Sequence, residues 1–234
     1  MIFSEILKVT EVSIIIPVLN EAAFIAPFLQ QLAPWRQKGD EIIVVDGGST
    51  DDTTEIAAPH CDQLISAPRG RALQLNAGAR IARGAILWFL HADTTFAEGA
   101  RDALLEACGH ARAWGRFDVR IDDAGTVFRV IESSMNLRSR LTGIATGDQG
   151  IFVRRELFDR VGGFRSIALM EDVDLSKALR RQARPCCLGR MLATSPRRWR
   201  ANGILKTVLT MWGLRVAWTV GVSAERLARI YGSR

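Results

Sequence analysis

The four cysteines, Cys61, Cys108, Cys186 and Cys187, form no CxxC pair and keep no regular spacing to the histidines. That absence removes support for a zinc site or a disulfide framework, and free thiols in a reducing compartment are expected. Internal repeats, low-complexity tracts and linkers are also missing, which argues against a solenoid, an array or a second independent domain. The first twelve residues carry Glu5, Lys8 and Glu11, where a secretory signal needs a basic start followed by an uninterrupted apolar run. A cytoplasmic protein is therefore expected. Acid is nearly absent from the end of the chain: from Arg180 onward twelve Lys or Arg stand against Glu225 alone, in a protein whose net charge is +6. The preceding part is correspondingly acidic. Such a basic end needs open solvent or an anionic partner, a nucleotide diphosphate or an anionic membrane surface. Nucleic acid is not expected, because the aromatics and recognisable modules that accompany such binding are lacking.

What is present describes one folded α/β unit. At 234 residues, with 48% hydrophobic and 24% charged side chains, the chain suits one sizeable core with an appendage. Residues 12–17, 41–46, 63–67 and 85–90 are short apolar runs rich in β-branched residues, each read as a buried strand. Between them, residues 21–35, 52–58 and 71–82 place apolar side chains at helical spacing, with lengths that suit right-handed crossovers. Beyond Gly99 the rhythm loosens. A helix to about Gly109, a strand over 116–121, and helices over 127–141 and 172–182 are expected there. The segment 204–222 is long and apolar but contains Lys206, Arg215, Gly213 and Gly221. An arginine near the centre of a membrane span costs at least ~2.5 kcal/mol. A helix docked on the domain, or lying on a membrane surface with Trp212 and Trp218 as anchors, is expected instead. The division is thus 1–200 for the domain and 201–234 for the helical appendage.

Polar residues cluster after the strands. Asn20 and Glu21 follow the first, Asp46-Gly47-Gly48-Ser49-Thr50-Asp51-Asp52 the second, and His91-Ala92-Asp93-Thr94 the fourth. Open α/β sheets bind ligands outside the carboxyl ends of their strands. A carboxylate at a strand end, glycines that permit a tight turn and a hydroxyl-rich helix start make a cradle for a polar ligand. Met170-Glu171-Asp172-Val173-Asp174 opens a predicted helix. Its acids either complement the helix dipole or supply Asp172 as a general base toward a hydroxyl. Arg71, at a glycine-softened helix start, either reaches phosphate or is a solvated basic turn.

Taken in order, PVLNE (17–21), VVDGGSTDDT (44–53), FLHADT (89–94), GDQG (147–150) and MEDVDL (170–175) resemble the family 2 glycosyltransferases. The resemblance runs from about Val12 to Gln182. It implies a GT-A, nucleotide-diphospho-sugar transferase fold: a mostly parallel central sheet flanked by helices, here with a C-terminal helical appendage. It implies a nucleoside-diphosphate sugar donor, UDP foremost, and a small-molecule or lipid-linked hydroxyl acceptor, with inversion at the sugar carbon. Pro17, Asn20, Glu21, Asp46, Ser49, Arg71 and Asp93 are then expected at the donor. Asp172 is expected as the base, and Asp148, Gln149, Glu171, Arg198 and Trp199 at the acceptor. Mg²⁺ or Mn²⁺ is expected on Asp93, with His91 standing where many relatives carry the first carboxylate of Asp-x-Asp and serving the ribose or the metal. Only Arg198-Trp199 survives of the Gln-x-x-Arg-Trp box of processive members, which argues against polysaccharide synthesis. The chain is similar to a compact subgroup described as radical-SAM/selenodomain-associated and linked in some members to arsenosugar biosynthesis. Two other readings stay open. A sugar-phosphate nucleotidyltransferase would usually carry a glycine-rich, lysine-containing loop after the first strand, and PVLNEAAF has neither residue. A non-catalytic nucleotide-sugar or membrane-surface binding protein would use the basic end as its anchor.

Overall fold

The structure, a computed structural model, describes residues 11–109 and 113–232, with the side chains of Arg190, Met191, Arg198 and Asn202 excepted. The stretch read for a secretory signal lies almost wholly outside the described residues. Four strands, β1 (Val12–Val18), β2 (Glu41–Asp46), β3 (Gln63–Ser66) and β4 (Ile86–Phe89), are joined by α1 (Ala22–Gln37), α2 (Thr53–Ala57) and α3 (Arg71–Ile81). β1 pairs in parallel with β2 on one side and β4 on the other, and β2 pairs in parallel with β3. Alternate residues of the same apolar run enter different cores: Ile14, Ile16, Ile42, Val44 and Trp88 pack on one face, and Ile15, Ile43, Val45, Leu87 and Phe89 on the other. Burial on both faces explains why β1, β2 and β4 read as continuous hydrophobic runs.

The remainder of the sheet is mixed. β5 (Thr94–Phe96), α4 (Ala100–Gly109), β6 (Trp114–Ile121), α5 (Thr126–Thr142), β7 (Phe152–Arg154), α6 (Arg155–Arg160), α7 (Glu171–Gln182) and β8 (Cys186–Thr194) follow. The eight strands stand in the order β3-β2-β1-β4-β7-β6-β8-β5. β7 is antiparallel to β4 and β6, β8 is parallel to β6, and β5 is antiparallel to β8. β8 was not expected from the sequence. It exists because β6 and β5 flank it, and Gly115 lets β6 approach closely: a Cβ there would lie 2.4 Å from the Cys186 carbonyl oxygen.

The chain ends in α8 (Arg197–Asn202), α9 (Ile204–Thr219) and α10 (Ala224–Tyr231). Leu214 of α9 and Leu227 of α10 pack with Met170 and Val173 at the start of α7, with Trp218 against the same cluster. Trp218 therefore faces inward, beneath Lys177 at 5.9 Å, and is not the outward anchor expected of it. Trp212 is 65% exposed. Among the described residues no helix is long and apolar enough to cross a membrane.

Candidate active site

The loops that follow β1 and β2 are stitched together. Asp46, 6% exposed, accepts hydrogen bonds from the backbone N–H groups of Gly48 at 2.9 Å and Ser49 at 3.1 Å. Gly48 has φ +93°, a left-handed conformation that glycine adopts without the Cβ penalty. The Asn20 N–H donates to Ser49 Oγ at 2.9 Å, and the Asn20 side chain accepts from Thr50 N–H at 2.8 Å. Glu21 N–H donates to Thr53 Oγ1 at 2.8 Å. Beneath them Gln74 of α3 donates to the carbonyls of Val18 and Val45, both at 2.9 Å. It thereby ties the ends of both strands to one helix. Pro17 lies partly buried within β1.

Asp93 leaves the end of β4 and meets Arg197 at 3.0 Å. The same guanidinium reaches Glu21 at 3.5 Å and stacks 3.6 Å from the Phe24 ring centroid. Burial pushes the Glu21 carboxyl above its ordinary range, Arg197 opposes the shift and the charge of Asp93 adds to it. Arg197 lies one residue before Arg198, on which the sequence reading settled; the side chain of Arg198 lies outside the described residues. Trp199 meets Phe128 of α5 edge to face, with centroids 6.2 Å apart.

The third group surrounds Asp172. One of its oxygens accepts from Gly147 N–H at 2.8 Å and the other from Val173 N–H at 2.7 Å, which fixes the carboxylate's direction. Glu171, only 3% exposed, pairs with Arg71 at 3.3 Å. Burial pushes the Glu171 carboxyl up against the pull of Arg71. Burial opposes the charge on Arg71, but Glu171, Asp172 and Asp148 outweigh it and hold the guanidinium protonated. His91 Nε2 lies 4.0 Å from Asp148 and packs on Gly147, where a Cβ would come within 2.6 Å of it. A cavity of about 10 Å³ between Arg71, Leu75, His91, Gly147, Glu171 and Asp172 forms the floor of this corner. It is too small for a sugar.

Asp46, Asp93 and Asp172 thus lie along one edge of the sheet in three neighbouring groups. The small cavity takes in Asp172 but neither Asp46 nor Asp93. Gln149, expected at the acceptor, is fully buried and instead receives the Thr146 N–H and donates to Asn136. Glu171 likewise pairs with Arg71 from the interior, while the Arg71 side chain itself stays 45% exposed. Among the described residues no three His, Cys, Asp or Glu side chains gather as a metal site. His91 and Asp93 turn to different partners. Asp93 fits a site of one carboxylate completed by phosphate oxygens and water, as Mg²⁺ sites on substrate phosphates often are. His91 Nε2 faces Asp148 Oδ1 at 4.0 Å, longer than a hydrogen bond.

Comparisons with known proteins place this arrangement. The "PGL/p-HBAD biosynthesis glycosyltransferase" of Mycobacterium bovis (strain BCG / Pasteur 1173P2) is 34% identical over 168 residues, 65% of this chain and 62% of the relative. The protein so named in Mycobacterium tuberculosis (strain ATCC 25177 / H37Ra) matches to the same extent. The match spans less than two thirds of these relatives' length. Among solved structures, S. aureus TarS 1-349 superimposes with a TM-score of 0.65 at 20% identity, covering 80% of this chain and 61% of that one. Glucosyl-3-phosphoglycerate synthase from Mycobacterium tuberculosis, in complex with Mn²⁺, UDP and glucosyl-3-phosphoglycerate, gives 0.60 at 19%, covering 79% and 71%. These neighbours establish the GT-A fold. The family model described as glycosyl transferase family 2 matches residues 13–167, and the chain belongs to that family.

Proposed function

We propose that this protein transfers a sugar, with inversion, from a nucleoside-diphosphate donor to the hydroxyl of a small-molecule or lipid-linked acceptor, UDP being the foremost carrier. The observation that carries the reading is Asp172, held by the Gly147 and Val173 N–H groups at the edge of the sheet where β1, β2 and β4 end. In the step, the acceptor hydroxyl gives its proton to Asp172 and its oxygen bonds to the sugar carbon. The bond from that carbon to phosphate breaks, and its electron pair leaves with the diphosphate. Pro17, Asn20, Glu21, Asp46 and Ser49 receive the nucleoside, and Arg197 lies ready for its phosphates. Mg²⁺ or Mn²⁺ on Asp93 would neutralise the leaving diphosphate, once Arg197 releases that carboxylate. The sequence resemblance to the radical-SAM/selenodomain-associated subgroup points to an acceptor of arsenosugar type.

A second observation favours a membrane surface as the place of work. Leu205, Leu209, Trp212, Val216 and Val220 are between 60% and 75% exposed and recur along one face of α9 and its end at helical spacing. Apolar residues on one face of a helix with basic neighbours suit an anionic lipid interface. Vesicles containing phosphatidylserine should sediment the protein, and Leu209→Ser with Trp212→Ser should abolish it.

The test of the reaction is Asp172→Asn. Turnover should fall by about 10² to 10⁴, the usual contribution of a positioned acid or base, while UDP binding persists. Turnover near that of the wild type would remove Asp172 from its role. A panel of nucleotide sugars with and without Mn²⁺, read as shifts in melting midpoint, identifies the donor, since a ligand of the folded state raises that midpoint.

A further inference from the structure

The basic groups on and around α5 are not treated alike by the fold. On α5, Arg129 pairs with Glu132 at 2.9 Å and Arg140 pairs with Asp118. Arg116 is fully buried, and it too is met by Asp118 and by the Asn136 carbonyl. Arg138, between these, has no ion pair among the described residues, and its Nε and Nη2 atoms are buried without a hydrogen-bond partner. Across from it Arg215 projects from α9, one residue after Leu214, which anchors that helix on Met170 and Val173 beside Asp172. Arg215 also lacks an ion pair within 4.0 Å among the described residues.

Burial, and then the charge of Arg215, push the Arg138 guanidinium down to about 10, with Asp172 and Asp148 pulling the other way. Burial lowers Arg215 as well, against the pull of the same two acids. Both remain cations at neutral pH. Two half-buried like charges whose nearest acids, Asp172 and Asp148, form no ion pair with them cost stability, and perturbed charges of this kind gather where a ligand binds.

We propose that Arg138 and Arg215 seat an anionic group, a phosphate or a carboxylate, carried by the acceptor substrate. The assignment rests on the glycosyl-transfer reading above and adds a chemical class to the acceptor. The acceptor is preferred to the donor because the two arginines are coupled to Asp172 and Asp148. The groups assigned to the donor, Asp46, Glu21, Asp93 and Arg197, form the separate cluster at the ends of β1, β2 and β4. A guanidinium presents paired N–H donors that match the two oxygens of a phosphate or carboxylate. With the anion held there, the acceptor hydroxyl is left to meet Asp172.

The experiment uses the full chain saturated with UDP and Mn²⁺, with glycerol 3-phosphate as probe and glycerol as its neutral counterpart, measured by calorimetry. Glycerol 3-phosphate should bind and glycerol should not. Arg138→Gln and Arg215→Gln should each weaken the phosphate probe by about tenfold or more, the loss expected for a charged hydrogen bond, while Arg138→Lys recovers part of it. Unliganded Arg138→Gln should melt no lower than the wild type, since it removes a buried unpaired charge, and this checks that it folds. Three results would overturn the site: no binding of glycerol 3-phosphate to the UDP-saturated chain, binding indifferent to both substitutions, or binding to the nucleotide-free chain that added UDP then displaces, which would assign the arginines to the donor's diphosphate. Failure of the wild type to bind any nucleotide would instead sink the underlying reading, so the two failures are distinguishable.

Discussion

The loops after β1 and β2 and the helices α5 and α9 face the same edge of the sheet but are finished differently. In the first region every functional side chain already has a partner: Asp46 holds two N–H groups of its turn, Asn20 and Ser49 hold one another's loops, and Gln74 clamps the strand ends. In the second, Arg138 keeps buried nitrogens without partners, and the outer faces carry Val130, Leu137, Leu141, Leu209 and Trp212 in the open. A region whose polar groups satisfy one another is preorganised and needs nothing from a ligand to hold its shape. A region left with unmet charge and apolar surface is shaped for something that arrives. The contrast fits a transferase that receives one kind of leaving group on a rigid half and a more specialised acceptor on the other.

The comparison can be broken most directly at the clamp. Gln74→Leu leaves the Val18 and Val45 carbonyls without their buried donor and should cost about 1–3 kcal/mol per orphaned group. Gly47→Ala drives a Cβ to within 2.9 Å of Gln74 Nε2 and should cost about 1–3 kcal/mol by overpacking. Urea unfolding measures both, and a loss below half a kcal/mol in each would show that this half is not held from below. A smaller effect is expected at Glu171, whose carboxyl is pushed above its ordinary value of 4.5 by burial. Because the folded state binds that proton more tightly than the unfolded chain, Glu171 adds stability at and below pH 4.5. That contribution declines as pH rises through the folded carboxyl's own midpoint. The stability of the wild type relative to Glu171→Gln should therefore fall across that window in melting curves recorded against pH; a flat or rising difference would contradict the burial. The smallest effect belongs to Leu209→Ser and Trp212→Ser. Their side chains touch solvent, so the melting midpoint should stay within the change expected for about ±0.5 kcal/mol. A large loss would mean that the outer face of α9 is packed against something in the molecule.

Legibility of the fold follows burial. The readings 12–17, 41–46, 63–67 and 85–90 meet β1 to β4 within about a residue, because the strands covered on both faces, β1, β2 and β4, must be apolar nearly throughout. The helices α5 and α7 were equally plain from their spacing. β5, β7 and β8 were not, since two runs of three residues and a nine-residue run broken by Gly189 and Arg190 become strands only when neighbours supply partners, β4 and β6 for β7, β6 for β8, and β8 for β5. In the site, the acids were visible as motifs, but their neighbours were not. Arg197 was one residue from the arginine singled out, and nothing local separates two adjacent arginines until a helix turns one of them toward Asp93 and Phe24.

The order of the motifs and the apolar runs by themselves determined the family and the parallel half of the sheet, because both depend on short segments whose chemistry is complete in sequence. Tertiary structure alone decided that Gln149 and Glu171 turn inward, that Trp218 packs partly buried on the start of α7, and that Arg138 has no ion pair among the described residues. Each of those outcomes depends on what stands opposite the side chain across distances in sequence of a few to about a hundred residues, as between Arg71 and Glu171, and a linear pattern carries no record of what stands opposite.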